Sequence, residues 1–119
     1  MITRYSSADG ATILVINEAN GTIVDASTDA IVDTISLRGL PALATISNNR
    51  QYVAAALQAM LHTELCMYKK VGSRWEMIPV ANVNPPPATL RWEEPDDSRH
   101  PPKDLIAGTE KGTKTYPLK

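Results

Sequence analysis

With 119 residues, 43% of them apolar and 21% charged, the chain has the size of one domain and an ordinary globular composition. Its 12 Lys and Arg nearly cancel its 13 Asp and Glu, which argues against nucleic acid or anionic lipid held by bulk charge. No apolar run reaches the ~20 residues of a membrane-spanning helix, and the lone Cys66 excludes an internal disulfide or a Cys-rich zinc site.

The start, Met1-Ile2-Thr3-Arg4-Tyr5-Ser6, lacks the apolar stretch of a signal peptide, so cytoplasmic synthesis in a reducing compartment is expected. There is no Phe, and Tyr5, Tyr52, Tyr68, Tyr116, Trp75 and Trp92 are the whole aromatic set. Aromatics bury the most area per side chain, so the core is expected to be aliphatic and thin. Prolines gather late: of the nine, only Pro41 and Pro79 precede Asn84. This skew divides the chain into a compact body, 1–83, and a C-terminal arm, 84–119.

Taken in order, Met1 to Tyr5 suits an edge strand. Ile13-Leu14-Val15-Ile16 and Thr22-Ile23-Val24-Asp25 are β-branched runs joined by an Asn/Gly-containing link, the pattern of a hairpin. The unbroken apolar stretch from Ile13 to Ile16 predicts a strand covered on both faces. Ser27 or Thr28 as a cap, Ile31 and Ile35 on one face, and Gly39 before Pro41 predict a short helix, with a strand as the competitor. Leu40 to Ile46 suits a further strand. Ser47-Asn48-Asn49 then caps a main helix over 49–63, with Val53, Leu57, Met60 and Leu61 as its buried stripe and Ala54, Ala55 and Ala56 adding propensity.

Leu65 to Val71 and Arg74 to Val80 flank Gly72-Ser73. Gly at the first loop position meets the positive φ of a two-residue hairpin turn. The implied register sets Val71 opposite Arg74, Lys70 opposite Trp75, Lys69 opposite Glu76, Tyr68 opposite Met77 and Met67 opposite Ile78. Pro79 makes the second strand an edge, or ends it. Beyond Val83, Asn84-Pro85-Pro86-Pro87 favours an extended polyproline conformation, and Ala88 to Trp92 suits one short strand. Leu90, Trp92, Leu105, Ile106, Tyr116 and Leu118 punctuate the otherwise polar arm as spaced apolar anchors for a partner. No internal repeat is visible. The fold class expected is α+β: a small antiparallel sheet of hairpins packed on one main helix, with an extended Pro-rich C-terminal arm.

Few residues suggest chemistry. On an unbroken helix His62 and Cys66 would stand one turn apart, a spacing that can hold a metal, but a structural zinc site needs four ligands and the only other His is His100. Asp25, Asp29 and Asp33 recur at i+4 spacing, which on a helix makes a solvated acidic face. Lys69, Lys70 and Arg74 form a small basic patch beside Tyr68 and Trp75. No phosphate-binding glycine motif or nucleophile elbow occurs. Neither a catalytic site nor a cofactor or metal site is expected.

Ile13 to Glu18 with Gly21 to Ala26, and Lys69 to Trp75, resemble the first strands and the later hairpin of PAS sensor domains. That resemblance implies a ligand-sensing or protein-interaction module, its pocket enclosed between sheet and helix. The architecture leads to a different first expectation: a non-enzymatic structural protein, such as a small virion or phage particle subunit. Its arm would bind copies of itself or a larger assembly protein, with no membrane partner.

Overall fold

Eleven strands, each antiparallel to its neighbours, make up the computed structural model, which describes residues 2–119. The first sheet holds β1 (Ile2–Ser6), β2 (Thr12–Asn17), β3 (Asn20–Asp25) and β4 (Ile31–Ser36) in chain order. The second holds β5 (Pro41–Ile46), β6 (Tyr52–Gln58), β7 (Thr63–Val71) and β8 (Arg74–Val83), again in chain order. The third is β9 (Thr89–Trp92), β10 (Asp104–Thr109) and β11 (Gly112–Pro117), with β10 in the middle.

The sheets stack as three layers. Leu14, Ile16, Ile23 and Ile35 of the first sheet meet Ile46, Val53, Leu57 and Tyr68 of the second in one core. The opposite face of the second sheet, with Tyr52, Leu65 and Met67, meets Trp92, Leu105 and Tyr116 of the third in another. Alternation along β6 serves both cores: Val53, Ala55 and Leu57 point one way, and Tyr52, Ala54 and Ala56 the other. All six are buried. Alanine methyls let both neighbouring sheets close on this strand, which is how a chain without Phe builds two cores from small side chains.

The α+β expectation is therefore overturned: the fold is all-β, with no helix among the described residues. The main helix predicted over 49–63 is a turn, the strand β6, a second turn and the start of β7. A strand covered on both faces is a continuous apolar run, which periodicity alone does not separate from a buried helix. Cross-strand pairing with β5 and β7 outweighs the helix propensity of Ala54-Ala55-Ala56. The helix predicted after Ser27 is β4, where the β-branched Ile31, Val32, Thr34 and Ile35 follow their sheet preference. The extended arm is likewise corrected. Residues 89–117 fold back as the third sheet, and Trp92 packs edge-on against Tyr52 with ring centroids 6.1 Å apart.

Both predicted hairpins are present. The β2–β3 pair sets Ile13 opposite Val24, and the β7–β8 pair has the register read from the sequence, from Val71 opposite Arg74 to Met67 opposite Ile78. Gly72 has φ 63°, and Lys70 lies 5.3 Å from the Trp75 ring centroid. Pro79 sits within β8, an edge strand, beside a register shift that relieves the ladder of its missing N–H.

One loop geometry recurs between the first two sheets. In the β1–β2 connection the Ser7 hydroxyl donates to Asp9 and accepts from the Thr12 N–H, and the Ser7 N–H donates to the Thr12 carbonyl. In the β5–β6 connection Ser47, Asn49 and Tyr52 repeat those three bonds. Gly10 and Arg50 occupy the same place, at φ 74° and 64°. Each is the first connection of a four-stranded meander, so the first two sheets share this turn geometry and the same strand order.

Candidate functional site

Five of the six residues expected to anchor a partner are engaged within the chain itself. Trp92, Leu105 and Tyr116 are buried in the second core, and Leu90 and Leu118 pack against it. Ile106 is half-buried on the outer side of the third sheet, opposite Arg91 and Thr115. Leu90 and Trp92 share one face of β9, and Leu105 and Ile106 take opposite faces of β10.

The outer face of the first sheet is where apolar surface stays open. Register places Ser6, Ile13, Val24 and Ile31 in one row across this face and Arg4, Val15, Thr22 and Thr34 in the next. Ile2, Asn17, Asn20 and Ser36 form a third. Among these positions Arg4 carries the sole charge. Ile31 is 68% exposed, and the bulged Val32 beside it is also open to solvent. Sequence reading expected Ile13 to Ile16 to be covered on both sides; within the chain only the Leu14 and Ile16 side is. The sheet carries the residues of a doubly covered layer and has one cover.

A second apolar exposure lies at one end of the middle sheet. Met60 and Leu61, assigned from sequence to a buried stripe, form the β6–β7 turn and are 100% and 86% exposed. The exposed Leu40 is beside the base of this turn, its carbonyl accepting from the Gln58 N–H at 2.9 Å. Sequence reasoning missed the exposure because it placed the turn inside a helix.

At the opposite end the loops are polar and tied together by hydrogen bonds. Arg50 crosses from the second sheet to the first, where it donates to the Thr12 hydroxyl, the Ala11 carbonyl and Asp25. Asp25 is held down to about 2 by the Ser27 hydroxyl first and Arg50 next. Asn48 N–H donates to Glu94 at 2.8 Å, tying the third sheet in, and burial raises the Glu94 carboxyl. The three aspartates suggested as an acidic face are dispersed: Asp25 pairs with Arg50, Asp33 pairs with Lys70 at 2.7 Å, and Asp29 lies in the β3–β4 turn. That pairing also neutralises Lys70, and Arg74 lies 3.5 Å from Glu76, so two of the three basic residues of the hairpin-tip patch have carboxylate partners.

His62 sits in the β6–β7 turn while Cys66 is buried within β7, and no cluster of three metal-binding side chains occurs among the described residues. Burial, and then Glu64, push the Cys66 thiol up to about 11, so it is a packing group rather than a nucleophile. No helix of the described residues is long and apolar enough to cross a membrane. Comparison with family models, curated proteins and solved structures finds no match for the chain.

Proposed function

We propose that this protein is a non-enzymatic assembly subunit, and that the outer face of its first sheet stacks on the same face of a second copy. The observation carrying this is the uncharged β-branched surface formed by Ile13, Val15, Thr22, Val24, Ile31 and Thr34. A face of small apolar and hydroxyl side chains with one charge, Arg4 on the edge strand, can stack on a copy of itself about a two-fold axis. The chain already stacks sheets in this way twice, through the two cores on either side of β5–β8.

The size of the face sets the strength. Four strands about 4.8 Å apart and five or six residues long present roughly 400 Å² of sheet. A standard stable interface takes about 800 Å² from each partner. A lone pair would therefore associate weakly, and a lasting particle would need further contacts, for which the Met60–Leu61 turn is available.

Sedimentation equilibrium tests the proposal. The wild-type chain is expected to self-associate with rising concentration, and V15K with V24K to hold it monomeric without changing its thermal transition. A wild-type chain that remains monomeric up to its solubility limit would overturn the reading, as would a double variant that associates equally well.

A further inference from the structure

A cleft opens where the second core ends. Past Ala107 and Tyr116 the β10–β11 hairpin stands away from the β7–β8 end of the middle sheet, leaving a cavity of about 440 Å³. That volume lies within the ~300–1,000 Å³ of small-molecule sites. Its floor is the buried Leu65, Ala107 and Tyr116, with Val83 and Pro87 extending the apolar surface.

The charge of the cleft is one-sided. Lys111 and Lys114 line it, and no Asp or Glu does, although the chain as a whole has a net charge of -1. Neither lysine is in an ion pair among the described residues. The Lys114 ammonium instead lies 5.4 Å from the Tyr116 ring centroid, over the apolar floor. The Thr109 hydroxyl fixes the turn that carries Lys111: it donates to the Gly112 carbonyl and accepts from the Lys111 N–H. The exposed amides of Asn82 and Asn84 add polar groups on the other wall.

We propose that this cleft binds a small organic anion, an apolar or aromatic body carrying one carboxylate or phosphate group. The body lies on Leu65, Val83 and Tyr116, and the anionic group meets Lys111 and Lys114. Two ammonium groups with no carboxylate partner among the described residues, beside an apolar floor, favour such a ligand over a neutral one of the same shape. The cleft lies between the second and third sheets, away from the face proposed for assembly, and does not depend on that reading.

Amide NMR titration of the full chain tests this, with benzoate, phenyl phosphate, inorganic phosphate and benzyl alcohol as probes. Benzoate or phenyl phosphate is expected to shift the amides of Asn82 to Asn84 and Thr109 to Lys114. Affinity is expected to fall at least tenfold in K111Q with K114Q and to weaken with added salt. The stronger of the two anions identifies the preferred head group; weak binding of inorganic phosphate alone is expected, because it lacks the apolar body. No shifts at these amides with millimolar probe would overturn the site. So would benzyl alcohol binding as well as benzoate, or a folded double variant that binds unchanged.

Discussion

The guanidinium of Arg50 lies 3.1 Å from the carboxylate of Asp25, joining the β5–β6 turn to the end of β3 across two sheets. Arg50 occupies the left-handed position that Gly10 fills in the equivalent loop of the first sheet. A left-handed backbone costs a non-glycine residue about 1–2 kcal/mol, which the bonds to Thr12, Ala11 and Asp25 offset.

The pair makes stability sensitive to acid. Folding depresses the Asp25 carboxyl to about 2 from an ordinary 3.8, through Ser27 first and Arg50 second. Its contribution is fully present above about pH 4 and is lost as pH falls towards 2. Acid titration of the thermal transition is expected to show this decline in the wild type and a shallower one in D25N.

Gly21 is fixed by its neighbours rather than by its backbone angle. A Cβ there would stand 2.7 Å from Ile35 Cγ2 and 3.2 Å from Ile16 and Leu14 side-chain carbons. G21A is therefore expected to destabilise by about 1–3 kcal/mol in urea unfolding. An unchanged midpoint would show that the first core has room to spare.

Ala55 separates the strand reading of residues 52–58 from the helical one. In β6 its methyl faces the first core and is fully buried, so A55L is expected to cost about 1–3 kcal/mol through overpacking. On a solvent-facing side of a helix the same change would be nearly neutral. Replacement of Met60 or Leu61 by Ser is expected to leave stability within about 0.5 kcal/mol, since both are open to solvent.

Parts of this fold are legible from local chemistry alone. The Gly72-Ser73 turn and the pairs from Val71–Arg74 to Met67–Ile78 follow from a positive φ and cross-strand matching, both of which act over a few residues. Strand β6 was illegible because its identity is settled by sheets on both faces, while Ala54-Ala55-Ala56 locally favour helix. Trp92, Leu105 and Tyr116 are recognisable as anchors, but their host, the opposite face of the middle sheet, is formed by residues far away in sequence. The outer face of the first sheet was half-visible: the Ile13 to Ile16 run suggests burial on both sides, and only the fold shows that the Leu14 and Ile16 side alone is packed within the chain.

Cys66 is expected to resist alkylation in the folded chain. It is buried, with its thiol raised to about 11 by burial and by Glu64. Modification by iodoacetamide at pH 8 should therefore follow unfolding, with equal rates for folded and urea-unfolded protein contradicting this placement.

The proposal that the outer face of the first sheet joins two copies is tested most directly by amide NMR as the protein concentration is raised. The account predicts progressive shifts and broadening at Ile13, Val15, Thr22, Val24 and Ile31, with the outer side of the third sheet around Ile106 unaffected. Spectra independent of concentration, or changes confined to β9–β11, would contradict it.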